Sequence, residues 1–154
     1  MDITINWKGG MSFEGAGNSG FIQKMDAEEI AGGGNDGARP MEFIALGLAG
    51  CTGMDVISIL QKKKQPVADF QIKVHAERAE EHPKVFSRAL IEYQVTGKNV
   101  DEAALVRAIE LSAEKYCPAQ AMLSKAFPMQ LIYTIFDDDG KTVLHTGAYV
   151  QKNI

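Results

Sequence analysis

The chain has 154 residues and a formal net charge of −4, with 45% hydrophobic and 23% charged residues. That length suits a single domain, expected over 1–154, with a core large enough to fold without disulfides or a structural metal. The composition excludes a disordered or collagen-like chain, and the mild acidity, with no basic cluster beyond Lys62-Lys63-Lys64, argues against a nucleic-acid surface.

Met1 to Trp7 lacks a basic stretch followed by an apolar run, so no signal peptide is expected and the cytoplasm is the expected location. Ile3, Ile5 and Trp7 alternate with polar residues, and Gly-rich turns separate further short runs around Phe13 and Phe21-Ile22. The pattern predicts three strands. Ala31 to Ala38 has no large apolar residue to anchor it and reads as a mobile loop. It lacks the Gly-Lys-Ser/Thr ending of a phosphate loop.

Pro40 suits the first position of a helix, and Glu42 complements its positive end. The helix should run to about Lys62, where the three lysines match the negative pole. Its apolar residues fall on every side, which predicts a buried central helix. Glycines, Ser58, Thr52 and Asp55 interrupt the apolar stretch from Phe43 to Leu60, so a core helix is expected rather than a membrane span.

From Phe70 the period changes to two, with His75 on the solvent side, and the pattern repeats from Val85 to Val95, predicting a paired hairpin. Asp101 should cap an amphipathic helix carrying Leu105, Ala108, Ile109, Ser112 and Tyr116. Cys117-Pro118 should end it. A short helical piece at 119–126, a strand at 129–136, a turn at Asp137-Asp138-Asp139-Gly140 and a strand at 142–149 complete the chain. The aspartates lack the alternating acidic ligands of a calcium loop.

Two cysteines carry the candidate chemistry. Cys51 lies in the long helix among Gly47, Gly50 and Gly53, where something must pack or enter closely, or else it is an inert core thiol. Cys117 precedes Pro118, where a following helix end would favour its thiolate, although it could equally fill a gap under the turn. Their separation of 66 positions excludes a CxxC redox motif, and no histidine cluster completes a metal set, so no metal and no cofactor are expected. His75, His82 and His145 show no pattern of convergence.

The string Arg39-Pro40-Met41-Glu42-Phe43-Ile44-Ala45-Leu46-Gly47-Leu48-Ala49-Gly50-Cys51-Thr52-Gly53-Met54-Asp55-Val56, together with Tyr116-Cys117-Pro118, resembles the two cysteine motifs of the OsmC/Ohr family. The resemblance implies an α+β fold with an N-terminal strand meander, a long buried central helix, antiparallel strands and a second helix, assembled as an intertwined homodimer. It also implies a thiol-dependent peroxidase acting on organic hydroperoxides. Cys51 would be the peroxidatic cysteine and Cys117 the resolving one, with an external dithiol, lipoyl-type in some members, as reductant.

In the peroxidase branches of that family, an arginine from the N-terminal strands supports the reactive thiolate, held by a glutamate just after the helix-opening proline. Here no arginine precedes Arg39, and Met41 follows Pro40, with Glu42 one step later. Glu42 and Cys51 are nine residues apart, about 900° of helix rotation and roughly 13 Å of rise, so they do not meet along a straight helix. Arg39 is then the nearest candidate cation, and could act across a dimer. Asp55, one turn beyond Cys51, is a further candidate: it could bind a cation, orient a partner's backbone, or make a helix-to-helix hydrogen bond. These departures leave open a non-enzymatic redox-sensing or apolar-ligand-binding role.

Overall fold

Ile3, Ile5 and Trp7 lie on β1 (Ile3–Gly9), which pairs antiparallel with β2 (Ser12–Gly17), and β2 in turn pairs with β3 (Ile22–Met25). A computed structural model of the chain describes residues 1–150; the last four residues of the expected domain, 151–154, lie outside it. Within it the backbone divides into two compact units, Met1–Ala45 and the remainder from Leu46.

In the first unit the expected meander is present. Gly9 and Gly10, at φ +109° and +53°, make the β1–β2 turn, and the Trp7 indole N–H donates to the Gly10 carbonyl at 2.9 Å. Ile3, Ile5, Trp7, Phe21 and Ile22 stay exposed.

The segment read as a mobile loop is anchored after all, by a polar group rather than an apolar one. Asp26 is buried, and its carboxylate accepts the backbone N–H groups of Ala27, Gly34 and Asp36 at 2.7, 2.9 and 3.1 Å. The wrap is tight enough that a Cβ on Gly33 would lie 2.0 Å from the Ala27 carbonyl oxygen. These hydrogen bonds, the one from Asp36 foremost, hold the Asp26 carboxyl below its ordinary pKa despite the opposing effect of burial. Its support is therefore present above the ordinary carboxylate range and lost as the pH falls through the depressed value. Asp26→Asn, with one accepting oxygen instead of two, should strip hydrogen-exchange protection from the Gly34 and Asp36 amides while β1–β2 amides keep theirs.

Helix α1 (Pro40–Lys62) has the expected span. At its start the Glu42 carboxylate accepts the backbone N–H of Arg39 at 2.9 Å, satisfying a donor the helix cannot. Burial on every side does not occur. Leu48, Thr52, Val56 and Leu60 form one buried stripe at intervals of four, while Ile44, Leu46 and Met54 are exposed. By length and apolarity alone α1 could cross a bilayer. Leu48, Val56 and Leu60 instead join the hydrophobic core.

The second unit is built on a four-stranded sheet in the order β4-β5-β6-β7, with β4 at Asp69–Arg78, β5 at Phe86–Thr96, β6 at Met129–Phe136 and β7 at Val143–Tyr149. β4 and β5 form the expected antiparallel hairpin, and β7 runs antiparallel to β6. The β5–β6 pair, on which the sequence makes no prediction, is parallel. Parallel neighbours need a crossover, and the helices between them supply it. The core side of this sheet carries Ile91, Tyr93, Val95, Leu131, Tyr133 and Ile135, while His75 faces solvent.

Helix α2 (Glu102–Leu111) is capped as expected, the Asp101 side chain accepting from the Ala103 and Ala104 N–H groups. It does not continue regularly to Tyr116. Residues Ser112–Tyr116 form a π-helical turn, closed by a hydrogen bond from the Cys117 N–H to the Ser112 carbonyl at 2.9 Å, and α3 (Pro118–Leu123) follows. The wide turn changes the phase. The buried line Ala104, Ala108, Ser112 continues to Cys117, five residues on, and leaves Tyr116 half exposed.

Between β6 and β7 the aspartate run is a turn. The Asp139 carboxylate accepts the Lys141 and Thr142 N–H groups, each at 2.8 Å, and Gly140 takes φ +65°.

Candidate functional site: two thiols over a buried polar chain

Cys51 projects from the middle of α1 and is half-buried, whereas Cys117, at the junction of the π turn and α3, is buried. Both are free thiols, and the Cys51 sulfur lies near enough to Cys117 to affect its ionisation. Two elements produce this meeting. The four-residue spacing of the α1 stripe seats Thr52 inside and leaves Cys51 at its margin, and the π turn carries Cys117 into the buried phase that Tyr116 would otherwise hold.

Cys117 is the N-cap of α3, and its sulfur accepts the Gln120 N–H at 3.3 Å. The sequence reading expects this helix end to favour a thiolate. In the structure, burial wins. It pushes the Cys117 thiol up to about 12, the adjoining Cys51 sulfur adds to the rise, and the N–H groups of Gln120 and Ala119 only partly oppose it. Cys117 therefore keeps its proton at neutral pH.

Of the three glycines around Cys51, one packs closely. A Cβ on Gly53 would lie 2.8 Å from the tip of Ile72 on β4, while Gly47 and Gly50 face open space.

Beneath the thiols lies a polar chain, buried except at its carboxylate end. Thr52 Oγ1 lies 2.7 Å from the Tyr93 hydroxyl and 2.9 Å from Ser112 Oγ, and Ser112 donates to the Asp55 carboxylate at 3.0 Å. Gln120 Nε2 donates to Thr52 Oγ1 at 2.8 Å. Each hydroxyl has one proton, so the directions follow. Ser112 spends its proton on Asp55, so Thr52 must donate to Ser112, and Tyr93 must donate to Thr52. All protons point toward the carboxylate. Burial pushes the Tyr93 hydroxyl up to about 12, which keeps it a donor.

A consequence appears in alkali. The thiol of Cys117 and the hydroxyl of Tyr93 both ionise later in the folded chain than in the unfolded one, so stability is unaffected below about pH 9 and falls as the pH rises toward 12. Urea midpoints should be flat from pH 7 to 8.5 and drop by pH 10.5. The drop should shrink in Cys117→Ala.

The remaining candidate residues fall as follows. Asp55 makes the helix-to-helix hydrogen bond, to Ser112 on the π turn. Glu42 serves the start of α1. Arg39 braces the anchored loop: its Nη1 donates to the carbonyls of Gly37 and Asp26 at 2.6 and 3.4 Å, and its Nη2 to the Asn35 side chain. The three histidines do not converge, with His75 beside Glu77 and His145 beside Glu102. Sequence reasoning missed Tyr93 and Gln120 and took Thr52 and Ser112 only as helix positions. The available signal was weak: a Thr beside a helical Cys, and a Gln three residues past the second Cys.

The fold and the cysteine pair define a class. The chain belongs to the OsmC-like protein family, whose pattern matches residues 33–132. Protein YhfA of Escherichia coli (strain K12) is 38% identical over 135 residues, covering 88% of this chain and 98% of that protein. Among solved structures, a hypothetical protein from Aquifex aeolicus VF5 is similar at 29% identity and a TM-score of 0.77, over 88% of this chain and 96% of its own. An organic hydroperoxide resistance protein OsmC from Legionella pneumophila shares the fold with a TM-score of 0.62 at 13% identity, over 88% and 97% of the two chains.

Proposed function

We propose that this chain is a thiol-dependent peroxidase that reduces organic hydroperoxides through Cys51 and Cys117. The observation that carries the reading is the Gln120 link between the two cysteine segments, from the Cys117 sulfur to Thr52, which sets a half-buried Cys51 beside a buried, proton-retaining Cys117. In this mechanism the Cys51 thiolate attacks the terminal peroxide oxygen, the O–O bond breaks, and the alkoxide takes up a proton and leaves as an alcohol. Cys51 is left as a sulfenic acid. The Cys117 sulfur then attacks the Cys51 sulfur, forming the disulfide and releasing the hydroxyl as water with the Cys117 proton. An external dithiol, lipoyl-type as in some relatives, restores both thiols by exchange.

The reading extends to a single OsmC-like domain acting as a homodimer in the reducing cytoplasm. The uncovered apolar residues support the assembly: Ile3, Trp7 and Phe21 in the first unit, and Leu46 and Met54 on α1, are more exposed than a monomer would leave them. Arg39, Glu42 and Asp55 serve as supports of the framework rather than as reacting groups.

One observation favours a second reading. The terminal nitrogens of Arg39 are bonded to oxygens of its own loop, and no arginine precedes it in the chain. A Cys51 without a dedicated cation would oxidise slowly, as in a redox-sensing or ligand-binding module.

The two readings separate on the turnover of cumene hydroperoxide or a fatty-acid hydroperoxide with dihydrolipoamide. The peroxidase reading expects consumption well above that by free dithiol, with the organic peroxide preferred over hydrogen peroxide. Consumption no faster than by free dithiol would replace it with the sensing reading.

A further inference from the structure

Gln120 reaches both cysteines by different atoms. Its backbone N–H donates to the Cys117 sulfur at 3.3 Å, and its side-chain amide donates at 2.8 Å to Thr52, the residue next to Cys51. The side chain is fully buried. It also stands 3.4 Å from the Tyr93 hydroxyl, so the amide is held against β5 as well as α1. Among the described residues, no other bonds both to the Cys117 sulfur and to a neighbour of Cys51 in the chain.

We infer that Gln120 is a positioning residue for the resolving step: it fixes the start of α3 to α1 so that the Cys117 sulfur stays within reach of the Cys51 sulfur once Cys51 has been oxidised. The inference rests on the peroxidase reading and deepens it. In the reduced protein the two cysteine segments are tied together by the Gln120 amide on Thr52 and the Gln120 N–H on the Cys117 sulfur. Once Cys51 carries a hydroxyl on sulfur, the added oxygen pushes the two sulfurs apart, and only such a tie keeps Cys117 in place.

In the resolving step the S–O bond of Cys51 breaks as the S–S bond forms, and the hydroxyl leaves as water with the Cys117 proton. This needs the attacking sulfur in line with the S–O bond. A displacement of about 1 Å can cost a positioned reaction as much as a hundredfold. The Gln120 amide is the tether that limits such displacement. The polar chain behind Thr52 makes the tether stiff, because Thr52 is fixed in turn by Tyr93 and Ser112.

The consequence is a kinetic partition. A sulfenic acid that is not resolved meets a second peroxide and becomes a sulfinic acid. Gln120 should leave the first oxidation of Cys51 alone and govern which of these two fates follows.

The test treats reduced full-length protein with cumene hydroperoxide and follows two rates: loss of the Cys51 thiol, and appearance of the Cys51–Cys117 disulfide, separated by intact mass from sulfinic acid. Gln120→Leu removes the amide donor. Gln120→Glu keeps the shape but turns a donating nitrogen into an accepting oxygen, and serves if the Leu variant folds poorly. Tyr133→Phe, which loses a hydrogen bond to Glu102 away from the thiols, controls for general loosening.

Both Gln120 variants are expected to lose the Cys51 thiol at the wild-type rate. They should form disulfide about tenfold more slowly and accumulate sulfinic acid at peroxide levels where wild type and Tyr133→Phe do not. Disulfide formation at the wild-type rate in both variants would overturn the inference and leave the peroxidase reading intact, as would an equal slowing in Tyr133→Phe. Failure of the wild type itself to form the disulfide would overturn the peroxidase reading, and the inference with it.

Discussion

Cys51→Ser should reduce organic hydroperoxide consumption to the level of free dithiol, a loss of more than about a hundredfold, because no other described thiol lies at a half-exposed position. Cys117→Ser should behave differently. It should react with one equivalent of peroxide at close to the wild-type rate, since the attacking sulfur is untouched, and then stall. Without a partner sulfur, the sulfenic acid persists long enough to be trapped by dimedone, and it advances to sulfinic acid under excess peroxide. Steady-state turnover and dimedone labelling together check the pair. If Cys117→Ser lost the first oxidation while Cys51→Ser kept it, the roles would be reversed. The buried, proton-retaining state of Cys117 argues against that outcome.

Thr52→Val should be the most costly single change in the polar chain, although it preserves shape. The Thr52 hydroxyl accepts from Tyr93 and Gln120 and donates to Ser112, all in a fully buried setting. Replacing it with a methyl leaves two donors and one acceptor without this partner. An unmet buried polar group costs about 1–3 kcal/mol, and relaxation around the site recovers part of the sum, so a loss of about 2–4 kcal/mol is expected. Tyr93→Phe removes only the first link and should cost about 1 kcal/mol. Urea denaturation of the two variants checks the order. Equal costs would mean that the chain does not converge on Thr52.

Much of this architecture is written locally. The alternation along β4 and β5, the proline and glutamate opening α1, and the Asp101 cap each reflect a rule that acts within a few residues, and each element lies where those rules place it. The apolar residues around α1 predict burial on all sides. They describe what the helix can bury, while the chain covers only the stripe through Leu48, Val56 and Leu60. The parallel β5–β6 pairing was not legible, because it depends on which side of the sheet the crossover returns to.

The site was legible only in part. Both cysteines stood out by type and by motif, whereas Thr52, Tyr93, Ser112 and Gln120 come from four separate elements and share no spacing. The Asp26 anchor escaped for a related reason. Its partners are backbone N–H groups, which every residue but proline possesses and no sequence pattern marks.

The π turn at Ser112–Tyr116 also bears on how this segment can differ in length among proteins of the same fold. A regular helix would bury the fourth residue after Ser112, and this one buries the fifth. Removing one residue between 113 and 116 would restore α-helical closure and still deliver the cysteine to the same inward direction, since one helical residue corresponds to about 100° and the π turn absorbs that amount. The segment is thus a length buffer inside a helix. Insertions and deletions, normally confined to loops, can be accommodated here without moving the second cysteine out of phase. A gap aligned within this helix is therefore structurally sound, and one moved into the Cys117-Pro118 junction is not.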